Sequence, residues 1–526
     1  MPATFVQKLN TVRHNPALLK SLAGLQRGIE KESLRIDETG LLSQKPHPQS
    51  LGSALCHPKI TTDYSEALLE FITPVFASID DCLQSLHDIH HFTYHQLQQQ
   101  QELLWTCSMP CQLGKSEDIP LAQYGSSNVA KMKTIYRRGL GFRYGRIMQT
   151  ISGIHYNFSL SDKFWANYQQ QQKNTDALHQ FKTEQYFGLI RNFRRYVPLL
   201  VYLFGASPAL CRSFVKNAAH NLEALDEHSF YRPFATSLRM GDLGYQSSAQ
   251  QALFVCYNSL ENYIDSLRKA ITVPHADYEA IGLKDADGEY QQLNTALLQI
   301  ENEFYSTIRP KRVAASGEAP INALARGGVE YIEVRCMDVN PFSAVGIDSD
   351  AVHFLDLFLL FCLFNDSPQF EDWECEQNDI NLKRVVNDGR NPVLTLTLNG
   401  EEKPFNEWGN SLLDAMLPLA DVLDSLHATK SYRESLTLQR EKMQNSSKTP
   451  SAIMLEELQQ GKTFAQFGLQ QSRHWQDYFL QQPMPTGLQR RFATMTADSL
   501  AQQATIEAAD DTDFSTYLAK FYAQYY

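Results

Sequence analysis

Residues 27–36 read Arg27-Gly28-Ile29-Glu30-Lys31-Glu32-Ser33-Leu34-Arg35-Ile36, and a turn at Asp37-Glu38-Thr39-Gly40 follows. The run predicts a short strand. Side chains on a strand alternate between faces, so Glu30 and Glu32 share one face and Lys31 takes the other. At strand rise their Cα atoms stand roughly 6.6 Å apart. Two partly buried carboxylates at that separation repel by roughly 2.5 kcal/mol, which a neighbouring cation relieves. The spacing suits one ligand to each of two adjacent ions better than two ligands to one ion. Alone, the pair is a weak signal. With 59 acidic residues in 526, chance gives about six or seven such triplets, most of them solvated surface.

Other stretches strengthen it. Residues 1–26 predict one or two helices leading into the strand. Residues 61–74 predict a loop and then a strand ending at Pro74, with Asp63, Glu66 and Glu70 as its acids. Residues 78–104 predict an amphipathic helix with Leu83, Leu86, Ile89, Tyr94 and Leu97 on its apolar side. That helix carries His87, His91 and His95 in a row, read here as an exposed flank rather than a metal site. Lys131 to Arg146 is basic and helical in pattern. Met148–Leu160 alternates as a strand, with Gln149, Ile151, Gly153, His155 and Asn157 on one face. A helix is expected at 178–204, loops at 205–250, and a further helix at 247–270. Residues 297–312 hold a basic run after an expected strand. Arg326-Gly327-Gly328 is a turn before an alternating strand that puts Tyr331, Glu333 and Arg335 on one side. From about 350 the pattern is helical. Strands interspersed with long helices, without βαβ alternation, predict an α+β fold with a mainly antiparallel sheet.

The bulk numbers exclude several classes. Net charge is −12, which disfavours a nucleic-acid partner. The nine Cys are odd in number and include no CxxC, so no disulfide framework is expected. No signal layout opens the chain, and neither long apolar run reaches bilayer length. The expectation is a soluble, cytoplasmic protein with no membrane partner. Gly461-Lys462-Thr463 lacks the earlier glycine of a phosphate loop, and Gly139–Gly145 has one residue too many for a dinucleotide fingerprint. No HExxH or GxSxG occurs. An ATP user of this sequence works outside the commonest nucleotide folds.

Glu30, Glu32, Asp63, Glu70, His155 and Glu333 form a set of hard oxygen donors with one imidazole. Such a set suits Mg²⁺ or Mn²⁺ better than zinc. Arg335 follows Glu333 on the same face, and a fixed guanidinium beside a metal carboxylate serves phosphoryl transfer.

Gly28–Arg35, Ile60–Pro74, Met148–Ser159, Ala235–Arg239, Ile308–Arg312 and Gly328–Arg335 together resemble the proteobacterial type of glutamate–cysteine ligase. The likeness runs from about residue 8 to 365 and more weakly beyond. It implies a glutamine-synthetase-like fold, an antiparallel sheet curved into a funnel-shaped site. On this basis residues 1–526 form a single catalytic domain, with 350–526 its mainly helical part. The resemblance implies one ion on Glu32, Asp63 and Glu70, and a second on Glu30, His155 and Glu333. It implies that Arg335 stabilises the transferring phosphoryl group, and that Asn157 and Arg239 hold glutamate. Tyr64, Tyr136, Gln149, Tyr245 and Tyr305 would line a cysteine pocket. Position 64 is often Phe in that family, and Tyr there changes the pocket's polarity. The implied substrates are ATP, L-glutamate and L-cysteine, and the implied state is a monomer.

The chemistry agrees. A carboxylate oxygen is a poor leaving group, so an amine attacks it only after phosphorylation to an acyl phosphate. No protein nucleophile is required, and no nucleophile motif is present. Three alternatives stay open on sequence: another carboxylate–amine ligase of this fold, a two-metal phosphohydrolase, and a non-catalytic binding protein.

Overall fold

The computed structural model describes residues 3–216, 219–243, 253, 255–315 and 317–526. Its organising element is β1 (Gln26–Asp37), which pairs with three other strands. The remaining strands are β2 (Ile60–Thr62), β3 (Leu68–Ile72), β4 (Glu102–Leu104), β5 (Gly153–Ser159), β6 (Ala209–Cys211), β7 (Glu223–Ala224), β8 (Ser229–Tyr231), β9 (Ile308–Lys311), β10 (Tyr331–Asp338), β11 (Thr395–Leu398) and β12 (Glu401–Pro404). The main sheet runs β2-β3-β1-β5-β10-β9, with β4 on the far end of β1. Every ladder in it is antiparallel. The α+β expectation therefore holds, and the sheet stays open rather than closing into a barrel.

Alternation sorts the sheet into two faces. Ile29, Ile154, Tyr156, Phe158, Ile332 and Val334 are fully buried on one of them. The helices Ile79–Gln98, Leu178–Phe204 and Ser349–Phe364 pack behind that face. Lys31 lies there too, bonded to Ser33 Oγ at 2.6 Å and to His90 Nε2 at 3.1 Å. Burial pulls its ammonium down to about 7. The opposite face carries Glu30 and Glu32.

One buried ion pair ties the sheet to its helical backing. Arg27 Nη2 meets Asp356 Oδ2 at 2.9 Å, and the Tyr156 hydroxyl donates to Asp356 Oδ1 at 2.5 Å. Arg27 also donates to the carbonyl of Ala77. Removing one partner strands the other charge in the core, which costs about 3–5 kcal/mol. Asp356→Ala should therefore lower the midpoint of thermal unfolding sharply, while the apolar pair Arg27→Met/Asp356→Leu restores much of it. A thermal-shift series of the wild type and both variants checks this; an unchanged midpoint for Asp356→Ala would be inconsistent with it.

Several boundaries differ from expectation. The helix predicted to residue 104 stops at Gln98. Gln101 then takes a left-handed φ of 57° and turns the chain into β4. The strand predicted from Met148 begins at Gly153, because Met148–Thr150 forms a 3₁₀ turn. At 297–312 the basic run is itself the strand β9, and a 3₁₀ turn at Glu301–Glu303 precedes it. The helix expected from 247 starts at Leu260 within the described residues. The histidine row is not an exposed flank. His91 is buried, and the rings of His87 and His91 lie 4.7 and 6.1 Å from Phe479. The covering helix Phe464–Leu480 comes from far along the chain, so local sequence could not reveal it.

The C-terminal part is helical as expected, apart from the β11–β12 hairpin. Phe405–His427 and Ser431–Gln444 pair with each other and pack on Ser349–Phe364. Phe514–Tyr522 packs on Asn128–Tyr144. Among the described residues no helix is long and apolar enough to cross a membrane.

Candidate active site

Residues directly opposite each other in an antiparallel ladder share a face. Glu32 stands opposite Glu70, and Glu30 opposite His155. Asn157 stands opposite both Gly28 and Glu333, and Glu333 opposite Arg309. Five strands thus bring Glu70, Glu32, Glu30, His155, Asn157, Glu333 and Arg309 onto one surface. Asp63 joins from the β2–β3 turn, where its backbone N–H donates to the carbonyl of Leu68.

The carboxylates are crowded and largely removed from water. His155 Nδ1 lies 3.0 Å from Glu30 Oε2, and the Asn157 amide donates to Glu30 Oε1 at 3.0 Å. Glu32 accepts the Gly153 N–H at 2.6 Å and lies 4.0 Å from His155 Nε2. Burial, then the fields of Glu30, Asp63 and Glu32, hold Glu70 well above the usual carboxylate range. Burial and Asp63 push Glu32 up as well. Burial is the largest influence on Glu30 and opposes its ionisation, but the His155 hydrogen bond and the charges of His155 and Lys311 together bring this group down. Glu333 is buried too, yet Lys311 and Arg335 hold it well below the ordinary value. Lys311 Nζ sits 3.3 Å from one of its oxygens, and Arg335 Nη1 donates to the other at 2.9 Å.

Such mutual repulsion is what a divalent cation would offset, and the donor set fits one. One ligand atom each from Glu30, Glu70 and His155 lie within 4.8 Å of one another. This trio cuts across the division expected from sequence, which put Glu70 with Glu32 and Asp63, and Glu30 and His155 with Glu333. Register accounts for it: β1 lies between β3 and β5, so Glu30 is close to ligands from both sides.

A cavity opens over this surface. Glu32, Asp63, His155 and Arg335 form its acidic and cationic floor, and Tyr64, Tyr136, Gln149, Arg239 and Tyr305 line its walls. Among the described residues the buried Tyr64 hydroxyl has no hydrogen-bond partner. Asn157 does not line the cavity but bonds to Glu30. Tyr245 lies outside the described residues. The cavity also draws on Arg137, Leu140, Tyr144, Asn302, Glu303 and Arg309, which the sequence reading missed. A signal existed. Tyr136, Leu140 and Tyr144 repeat every fourth residue on one helix, so Tyr136 alone marks the whole face.

The walls are braced from behind. Arg143 pairs with Glu303 at 3.0 Å, and the Tyr144 hydroxyl donates to the same oxygen at 2.5 Å. The Tyr522 hydroxyl donates to the Gln299 carbonyl at 2.9 Å, and the Tyr525 hydroxyl to Glu301 at 2.6 Å. Leu518 packs with Met132 and Ile135 on the helix that carries Tyr136.

Comparison with known proteins gives the family. The family model described as glutamate-cysteine ligase matches residues 9–385. The chain belongs to the glutamate–cysteine ligase family. It is 50% identical over 507 residues to a glutamate–cysteine ligase of Saccharophagus degradans, covering 96% of this chain and 95% of that one. It is 49% identical over 508 residues to that of Pseudomonas aeruginosa PAO1, covering 96% of each. A crystal structure of the Francisella tularensis glutamate–cysteine ligase in complex with AMP superposes with a TM-score of 0.89 at 36% identity. The match covers 95% of this chain and 98% of that one. A bifunctional glutathione synthetase from Pasteurella multocida shares the fold, with a TM-score of 0.70 at 24% identity. The glutamine-synthetase-like sheet presents its polar face to the cavity.

Proposed function

We propose that this protein joins the γ-carboxylate of L-glutamate to the amine of L-cysteine with hydrolysis of ATP, giving γ-glutamylcysteine, ADP and phosphate. This is the first step of glutathione synthesis. The observation that carries the reading is the polar sheet face: buried carboxylates and an imidazole beside the Arg335 guanidinium, under a tyrosine-walled cavity. The AMP held by the Francisella relative supports an adenine nucleotide as co-substrate.

In this reading Glu30, Glu32, Asp63, Glu70, His155 and Glu333 would hold at least two Mg²⁺ or Mn²⁺ ions. Bound there, the ions would neutralise the triphosphate and draw charge from its transferring end. Arg335, anchored on Glu333, directs its remaining N–H groups at the γ-phosphoryl as charge builds there. Arg239 holds glutamate so that its γ-carboxylate attacks in line, with Asn157 assigned to glutamate from sequence. Tyr64, Tyr136, Gln149 and Tyr305 orient cysteine, with Tyr245 assigned from sequence. The amine then attacks the γ-glutamyl phosphate, phosphate leaves with one carboxylate oxygen, and the walls keep water off the intermediate. Residues 1–526 act as one catalytic unit.

Heavy-oxygen labelling tests the order of bonds. Glutamate labelled in its γ-carboxylate should deliver one labelled oxygen to inorganic phosphate for each peptide bond formed. Phosphate labelled only from heavy-oxygen water, with ATP consumed whether or not an amine is present, would instead make the protein a phosphohydrolase.

A further inference from the structure

We propose that Asp338 is a positioning residue that fixes the Arg239 guanidinium for the substrate it grips. This rests on the reading of Arg239 as the glutamate-binding arginine and adds a residue that the reading did not contain.

Asp338 reaches this place through an irregularity in β10. Val334 lies opposite Tyr156, but Met337, three residues on, lies opposite Ile154. One extra residue is therefore bulged out between them. Met337 takes the apolar side with Ile154, and Asp338, opposite Gly153, turns to the polar side. Strict alternation from Val334 would have sent Asp338 into the core.

Its carboxylate is buried and fully engaged. Oδ2 accepts the Ala206 N–H at 2.8 Å and the Ser207 hydroxyl at 2.7 Å. Oδ1 accepts the Ser237 hydroxyl at 2.9 Å and faces Arg239 Nη1 at 3.7 Å. The second arm of that guanidinium donates to the Arg335 carbonyl at 3.0 Å. Beneath it lies Gly153, where any Cβ would collide with the guanidinium. A carboxylate, a carbonyl and a missing side chain thus converge on one planar group. The carbonyl belongs to the proposed catalytic arginine, so the same strand sets both guanidinium groups. A planar fork needs such support, because displacement of about 1 Å at a substrate contact costs orders of magnitude in rate.

A carboxylate that merely tied the 206–207 and 237–239 segments together would affect stability and every substrate alike. The test separates the two roles. Asp338→Asn keeps the shape but loses the charge. It should raise KM for glutamate by about tenfold, with KM for ATP and cysteine within about twofold. Gly153→Ala, which displaces Arg239 by another route, should move the same constant. Ser237→Ala removes a competing donor from Oδ1 and should leave KM for glutamate unchanged or lower. It reports on Asp338 even if Asp338→Asn fails to fold. Arg239→Lys, measured in parallel, tests the underlying reading. If it leaves KM for glutamate unmoved, the glutamate assignment fails; positioning then stands only where Asp338→Asn and Arg239→Lys shift one and the same other constant. If Arg239→Lys raises KM for glutamate and Asp338→Asn does not, or if Ser237→Ala raises all three constants together, the positioning role is overturned.

Discussion

Glu32→Gln and Glu333→Gln each lower turnover by about three orders of magnitude at ordinary Mg²⁺, with the fold intact. Gln keeps the volume and removes the charge, so the loss reports electrostatics rather than packing. The two residues sit on different strands, β1 and β10, and fail differently. Glu32 is bonded to the Gly153 N–H, which a Gln carbonyl can still accept, so its loss falls on the cation alone. Glu333 holds both Arg335 and Lys311, so its loss also frees the guanidinium. A charged transition-state contact in a site closed to water is worth a factor of about 10²–10³, and losing a metal ligand adds to it. Steady-state rates across a Mg²⁺ titration, with circular dichroism as the fold control, decide the matter. Near-normal turnover of either variant at ordinary Mg²⁺ removes that residue from the ligand set.

Arg335→Lys comes next in size. Its kcat falls by about two orders of magnitude, while KM for ATP moves little. Arg335 is held at both ends: its backbone N–H donates to the Thr307 carbonyl and its Nη1 to Glu333. One arm of the fork is thereby fixed, and the side chain lines the cavity. Lysine keeps the charge, but a single ammonium cannot hold Glu333 and also meet a phosphoryl group in plane. A group acting mainly in the transition state shows in kcat; one that grips the ground-state nucleotide shows in KM. A defect confined to KM for ATP would move Arg335 to nucleotide binding.

The strand face was legible because its period is exact in sequence: Glu30 and Glu32 had to share a side, and so did Glu333 and Arg335. Register was not legible. Which carboxylate approaches which depends on how β3, β1 and β5 align, and so the grouping of Glu30, Glu70 and His155 across the expected pairs emerged only in three dimensions. The bulge in β10 was equally hidden. Val334-Arg335-Cys336-Met337 contains no glycine to mark it, and Asp338 could not be seen to face Arg239. Burial of the histidine row depended on Phe479, nearly four hundred residues beyond it. The four-residue spacing of Tyr136, Leu140 and Tyr144 was present in the sequence as well, but the family resemblance pointed to Tyr136 alone.

The brace formed by residues 514–525 has a consequence for the order of synthesis. Every side chain proposed to hold a cation or a substrate lies before residue 336, so a growing chain carries the whole chemical inventory while much of it is still being made. Protein chains fold as they emerge, the earlier parts first. Yet part of the backing of the Tyr136 helix and the 299–305 loop comes from Leu518, Tyr522 and Tyr525. A ribosome-bound chain stalled short of residue 514 therefore has its carboxylates and guanidinium groups but lacks these contacts behind the cavity wall.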